Sequence, residues 1–126
     1  MVIPAFNEAS RLGEALGGVL SYLERRGKPF EVLVVDDGSA DATVTVAGEY
    51  RHRGVYVLQL VRNRGKGAAL RHGVVASSGS KVLLSDADMS TPIEELERLE
   101  PRLEQADLIL GSRSVPGARV EVHQPW

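Results

Sequence analysis

Residues Phe30-Glu31-Val32-Leu33-Val34-Val35 run without interruption into Asp36-Asp37-Gly38-Ser39, and this stretch constrains the fold more than any other. An apolar run with no polar alternation suits a strand buried on both faces, the position that strands occupy in a parallel sheet covered by helices. Further strands are expected over residues 2–5, 55–61, 81–86 and 107–110. The intervening segments carry helical signals. After Asn7, a candidate N-cap, Leu12, Ala15, Leu16, Val19, Leu20 and Leu23 follow the 3.6-residue period until Gly27 stops the helix. A second helix is expected over residues 41–52, with Val44, Ala47 and Tyr50 facing inward, and a short Ala/Gly-faced one over 68–76. Thr91 as N-cap, Pro92 at the first helical position and Glu94 closing a capping box open a fourth, over 92–103. Alternating strands and helices predict an α/β domain with a mainly parallel sheet.

The unusual polar residues fall where such a sheet binds ligands. Asn7-Glu8, Asp36-Asp37, Arg62 to Gly67, Asp86-Ala87-Asp88 and Arg113 each follow the carboxyl end of an expected strand, so they line one rim. Asp86 and Asp88 stand two apart, and on extended backbone they point to the same side. Two carboxylates that close repel unless a proton or a cation lies between them, and a hard divalent cation suits oxygen ligands. The plainer role for the pair is to begin a turn ahead of the next helix. Asn7 and Glu8 either cap the first helix or let the Pro4-Ala5-Phe6 backbone edge a nucleotide base. Asp36 and Asp37, with Gly38 permitting a tight turn, either cap a helix or accept hydrogen bonds from a base or ribose, and a ligand role for one of them is favoured. Arg62, Arg64 and Lys66 lie in a Gly-rich turn before a helix, which is either a solvated loop or a phosphate site.

Composition removes several function classes. With 15 Lys and Arg against 17 Asp and Glu, the formal net charge of −2 carries no electrostatic footprint for nucleic acid. The absence of cysteine excludes disulfides, thiolate metal sites and a Cys nucleophile. His52, His72 and His123 show no ligand spacing. No apolar run approaches the length of a membrane span, so the expectation is a soluble chain, peripheral to a membrane at most. The chain enters directly on strand residues at Met1-Val2-Ile3-Pro4 and stops at Gln124-Pro125-Trp126, a pattern that suggests truncation. Gly65-Lys66-Gly67 lacks the spacing of a Walker A loop, and Pro4 to Glu8 contains no G-x-G-x-x-G.

Taken together, the Val2 to Glu8 segment, Val34 to Asp41, Asn63-Arg64-Gly65-Lys66-Gly67 and Asp86-Ala87-Asp88 resemble the family 2 glycosyltransferases of the GT-A fold. Asp88-Met89-Ser90-Thr91-Pro92-Ile93-Glu94-Glu95-Leu96, with Gly111-Ser112-Arg113 and Pro116 to Val120, is similar to the dolichyl- or polyprenyl-phosphate glucosyl- and mannosyltransferases, the glucosyl branch closer. The resemblance implies a GT-A, Rossmann-like sheet flanked by helices and truncated at its C-terminus, residues 1–126 being the nucleotide-sugar-binding portion. It implies that Pro4, Ala5, Asn7, Glu8 and Asp37 hold the base and ribose, with Lys66 nearby. Asp86 and Ala87 then meet the ribose side, and Asp88 holds Mg2+ or Mn2+ with Asp86 and Ser90 beside it, Asp86 and Asp88 being the catalytic pair. Arg113 and Arg119 contact donor or acceptor phosphates. The implied reaction moves a hexose from UDP-glucose or GDP-mannose to a polyprenyl or dolichyl phosphate, with inversion. The location implied is the cytoplasm, peripheral at the cytoplasmic membrane face through segments beyond these residues, which alone are expected to bind donor but transfer poorly. Two alternatives come from other classes. A phospho-receiver domain would explain the acidic pair after Val35, although a full β-α unit precedes it here, and a sugar nucleotidylyltransferase would need a Gly-rich first loop.

Overall fold

The computed structural model describes residues 1–112 and 114–118, and it divides into two units, Met1–Ile93 and Glu94–Trp126. The centre of the first is β2 (Val32–Asp36), in which all five residues are buried. It pairs in parallel with β1 (Val2–Ala5) on one side and β3 (Val55–Gln59) on the other. The unalternated run therefore becomes the middle strand, as two-sided burial requires.

Between β1 and β2 lies α1 (Ala9–Arg25), whose buried Leu12, Leu16, Val19, Leu20 and Leu23 form the expected stripe, with Tyr22 added. Gly27, at φ +64, ends it. Asn7 does not cap this helix. The cap position is Glu8, and the helix's first amides are satisfied from a neighbouring loop: Glu8 N–H donates to Thr43 Oγ1 (2.9 Å) and Ala9 N–H to Asp41 Oδ2 (3.1 Å). The second helix is shorter than expected. α2 spans Thr43–Gly48, followed by a 3-10 turn over Arg51–Arg53 that Gly54 closes at φ +86. Asp41 is excluded because its carboxylate folds back onto Thr43, accepting from both the amide and the hydroxyl. Ala47 is buried as expected, while Val44 and Tyr50 are half-buried. Tyr50 donates its hydroxyl to the Gly13 carbonyl (2.8 Å).

Beyond β3, α3 (Lys66–Ala76) begins two residues earlier than its apolar residues suggest, because Gly65 takes φ +89 immediately before it. Its small face, Ala69 and Gly73, packs on one face of the sheet, where Val2, Leu33, Val35 and Ala69 form a buried cluster joined by Leu58, Leu60 and Leu70. A Cβ at Gly73 would lie 2.3 Å from Val2 Cγ1, so only glycine allows this approach.

The fourth expected strand is reduced to a single parallel bridge between Val2 and Leu84, with Val2 N–H on Leu83 O (2.8 Å) and Ser85 N–H on Val2 O (3.2 Å). Val82 and Leu84 are exposed, because β1 is the one strand that this segment meets among the described residues. The path of the chain now places the ligand crevice. From β1 the chain steps outward through β2 to β3, then returns across the sheet to the far side of β1. Right-handed crossovers put helices of the outward steps on one face and α3 on the other. The reversal lies between β1 and Leu84, and in open α/β sheets ligands bind outside the carboxyl ends of strands at such a point.

A 3-10 turn at Ile93–Glu95 spans the boundary, and the second unit continues with α4 (Leu96–Leu99) and a further 3-10 segment, Glu100–Glu104. The fourth expected helix is thus present but α-helical only briefly. Pro101 lies in its path, lacks an amide hydrogen and clashes with the preceding turn. The fifth expected strand, residues 107–110, is not a strand. Leu108 and Leu110 are exposed, and a strand needs a partner backbone that this segment does not have among the described residues.

Candidate functional site

The rim loops converge at the reversal point on a cleft of about 340 Å³. One wall is the turn after β1, with Pro4, Ala5, Phe6 and Glu8. Asp37 after β2, Asn63, Gly65 and Lys66 around the start of α3, and Asp86, Ala87 and Asp88 beyond the Leu84 bridge complete the lining.

The β1 turn is fixed by its neighbour. Asn7, at φ +55, a conformation that asparagine tolerates better than most residues, accepts from Ala40 N–H at Oδ1 (2.9 Å) and donates its own amide to Ser39 Oγ (2.9 Å). With Glu8 and Ala9 on Thr43 and Asp41, four consecutive bonds tie the first rim loop to the second. Asp41 is held below the usual carboxylate range, chiefly by the Thr43 hydroxyl and then by the amides of Thr43 and Ala9. Ser39, Asp41 and Thr43 are positioning residues that sequence reasoning missed. The clue lay in the Ser-Ala-Asp-Ala-Thr spacing, because short polar side chains there compete for backbone amides.

Both oxygens of Asp37, which is 3% exposed, are engaged by main-chain donors: Oδ1 accepts from Arg64 N–H and Oδ2 from Gly65 N–H, each at 2.8 Å. Asp36 is also buried. Its Oδ2 accepts from Ser39 N–H (3.2 Å), while Oδ1 has no partner among the described residues. Gly38, at φ +75, packs so closely on the next loop that a Cβ would lie 2.7 Å from Asn63 N. Of the three basic residues expected near phosphate, Lys66 alone lines the cleft. Arg62 and Arg64 are exposed, and Arg64 contributes through its amide.

Lys66 Nζ lies 2.6 Å from Asp86 Oδ1, both side chains half exposed. Asp86 and Asp88 share the cleft through a turn and not through strand alternation, as extended backbone would have required. Met89 N–H returns to Asp86 O (3.3 Å), with Met89 at φ +48. Asp88 Oδ1 accepts from Ser90 N–H (3.0 Å), so Ser90 bonds to the site through its amide and does not line the cleft. Arg113 and Arg119 lie outside the described residues. The donor chemistry fits a hard divalent cation that takes one or two protein carboxylates and completes its shell with phosphate and water. Among the described residues there is no cluster of three acidic or histidine ligands that would hold such an ion by protein groups alone.

The chain matches the family described as Glycosyl transferase family 2 over residues 1–122. It is 43% identical over 130 residues to the dolichyl-phosphate beta-glucosyltransferase of Mus musculus, covering 90% of this chain and 40% of that protein. The corresponding enzyme of Homo sapiens is 45% identical over 112 residues, covering 82% of this chain and 35% of that protein. The chain thus spans 40% or less of the length of these relatives. Among solved structures it is similar to the mannosyltransferase PcManGT from Pyrobaculum calidifontis in complex with GDP-Man and Mn2+, with TM-score 0.63 and 25% identity, covering 76% of this chain and 29% of that one. A receiver domain and a nucleotidylyltransferase are both set aside by these matches. The parallel sheet, the rim cleft at its reversal point and the family match over nearly all of the sequence agree, and the chain belongs to glycosyl transferase family 2, with a GT-A fold.

Proposed function

We propose that this chain is the donor-binding part of an inverting glycosyltransferase that moves a hexose from a nucleoside diphosphate sugar to a polyprenyl or dolichyl phosphate. The observation that carries the reading is the convergence of the Pro4 to Glu8 turn, Lys66 and the Asp86 to Asp88 turn on one cleft at the sheet's reversal point. The names of the relatives favour glucose and dolichyl phosphate. The GDP-Man and Mn2+ of the structural neighbour support a nucleotide sugar donor and a divalent cation.

In this reading the Pro4-Ala5-Phe6 turn edges the base, with Asn7 and Glu8 holding its shape. Asp86 faces the ribose side, paired in the free protein with Lys66. Lys66 and the first amides of α3 present positive charge to the diphosphate, since the first turn of a helix leaves its N–H groups without intrahelical partners. Asp88, with Asp86 and Ser90 beside it, would hold Mg2+ or Mn2+. When bound, such an ion supplies Lewis-acid charge against the developing negative charge of the leaving nucleoside diphosphate, a contribution of several kcal/mol. Displacement at the anomeric carbon by a phosphate oxygen proceeds with inversion. A phosphate monoester with a second pKa near about 6 is already largely ionised at neutral pH, so the cleft needs no strong base. Arg113 and Arg119 complete the phosphate contacts. A lipid phosphate acceptor brings the reaction to a membrane surface, with the protein peripheral at the cytoplasmic face. Among the described residues no helix is long and apolar enough to cross a membrane.

Titration calorimetry of this chain with UDP-glucose and with GDP-mannose, each with and without Mn2+, tests the reading. Metal-dependent binding of one donor that is lost in Asp88→Ala is the expected result. Binding that ignores both the metal and the substitution would contradict it.

A further inference from the structure

Asn7 stands between Phe6 and Glu8, which line the cleft, yet does not line it itself. It takes the left-handed conformation at φ +55, which a residue with a side chain keeps only where its surroundings hold it. Two contacts do so. Oδ1 accepts from Ala40 N–H and the Asn7 amide donates to Ser39 Oγ, both at 2.9 Å. Ser39 is tied in turn to the sheet, because its own amide donates to Oδ2 of Asp36 (3.2 Å), the buried last residue of β2, whose partner in the β1–β2 register is Ala5. The Asp37 amide then closes on the Ala5 carbonyl (2.8 Å). The turn after β1 is thus held to the central strand at both ends, by the strand pairing before it and by the Asn7 clasp after it. Ser39 and Ala40, like Asn7, do not line the cleft. The clasp bypasses the other end of the site, where Lys66 Nζ meets Asp86 Oδ1 (2.6 Å) and Asp88 Oδ1 accepts from Ser90 N–H (3.0 Å).

We infer that Asn7 is a specificity-determining positioning residue: by clasping Ser39 and Ala40 it holds the Pro4-Ala5-Phe6 turn in one shape, and so sets the discrimination between nucleobases without touching the nucleotide. The inference rests on the reading that this turn edges the base. Specificity is a difference between two affinities, and a rigid edge rejects the wrong base where a loose one re-packs around it. The effect is modest in size, because each bond of the clasp is exchanged against a bond to water. The side chain's chemistry makes the role separable from direct contact. The clasp uses Oδ1 as an acceptor. Aspartate keeps that acceptor, lacks the N–H2 donors and also tolerates positive φ, while glycine keeps the backbone conformation and loses the acceptor.

Titration calorimetry with UDP, GDP and inorganic diphosphate, each with Mn2+, tests this on the wild-type chain, Asn7→Gly, Asn7→Asp and Ser39→Ala. The wild-type chain should prefer one nucleotide. The ratio of the two nucleotide affinities should fall roughly tenfold, or to parity, in Asn7→Gly and in Ser39→Ala, and stay within about twofold of the wild-type ratio in Asn7→Asp. Diphosphate, which has no base, should bind all four proteins within about twofold, since Lys66 and Asp88 are unaltered. A ratio that falls as far in Asn7→Asp as in Asn7→Gly would mean that the N–H2 group meets the nucleotide directly, and would overturn the inference. A wild-type chain without preference, a ratio unchanged in Asn7→Gly, or a diphosphate affinity that falls in step would overturn it equally. Amide hydrogen exchange without ligand gives a check that needs no variant to fold. The Ala40 amide, in an exposed loop, should be protected in the wild-type protein, and its exchange should quicken roughly fivefold or more in Asn7→Gly but not in Asn7→Asp. An unprotected Ala40 amide in the wild-type protein overturns the inference. If the wild-type chain binds neither UDP nor GDP, the nucleotide reading fails and the inference with it; nucleotide binding whose preference ignores Asn7→Gly defeats the inference alone.

Discussion

Gly73 of α3 should tolerate no side chain, and the size of the effect follows from its surroundings. A Cβ there would lie 2.3 Å from Val2 Cγ1, 3.3 Å from Val2 Cγ2 and 2.9 Å from Val35 Cγ2. Rotating Val2 about χ1 relieves nothing, because its other methyl is also against the new atom, and β-branched side chains are stiff at that torsion. Both valines are fully buried on hydrogen-bonded strands, so the helix or the sheet must move. Overpacking of this kind costs about 1–3 kcal/mol. Against that, alanine is favoured over glycine within a helix by about 0.8–1.0 kcal/mol. The net expectation for Gly73→Ala is a loss of about 1–2 kcal/mol. Gly18 is the internal control, since it lies in the middle of α1 on an exposed face with nothing within 4 Å of its would-be Cβ. Gly18→Ala should gain up to about 1 kcal/mol from propensity alone. Urea unfolding followed by circular dichroism reads both, and with slopes of about 1–3 kcal/mol per molar the midpoints should move in opposite directions by a few tenths of a molar or more. A Gly73→Ala variant that rises in midpoint as Gly18→Ala does would refute the packing of α3 on β1 and β2.

Gly38→Ala should be more damaging still, by about 2 kcal/mol or more, since it adds a side chain at positive φ and drives it into main chain at 2.7 Å; the same urea series measures it. Asp41 predicts an acid-sensitive term of known sign. Its carboxyl is held below the ordinary value of 3.8 in the fold, so its contribution is present above that value and lost as pH falls through the lower, folded one. Asp41→Asn should therefore flatten the stability profile between about pH 5 and pH 3, seen as a smaller drop in melting temperature than the wild-type protein shows. Asp41→Ala should expose the amide of Ala9 at the start of α1, seen as faster hydrogen exchange there than in the unaltered chain. Lys66→Ala should raise the affinity of the free protein for Mn2+ alone, because Asp86 loses its internal partner, while weakening the nucleotide; titration calorimetry with each ligand separates the two effects.

Elements defined by continuous burial or by a helical stripe were legible in the sequence. Val32 to Val35 could only be a central strand, and Leu12 to Leu23 declared both the helix and its buried face. The boundaries that moved were set by side chains bonding to backbone far away in sequence. Asn7 looked like a cap for the helix beside it, yet its amide oxygen serves Ala40, and the capping falls to Asp41 and Thr43, more than thirty residues on. No periodicity reports such a bond. The segments at 81–86 and 107–110 show the opposite limit, because an apolar run becomes a strand only where a partner backbone meets it, and a run does not name its partner. At the site, residue types indicated the chemistry of the rim and strand order located the cleft. The division of work inside it was not legible: Asp37 and Asp36 are adjacent and identical in type, and only the structure distinguishes the one bonded to two amides from the one with an unpartnered oxygen.

The central claim is that a nucleoside diphosphate and a divalent cation meet at the reversal point of this sheet, beside Asp88. Paramagnetic broadening locates the ion directly. Nuclear magnetic resonance spectra of the isotope-labelled chain with UDP and substoichiometric Mn2+ should lose the amide signals of Asp86, Ala87 and Asp88 first, then those of Gly65 and Lys66 across the cleft. Losses centred elsewhere, for instance on Glu24 or Glu31, or signals at residues 86–88 that persist while others fade, would contradict the account.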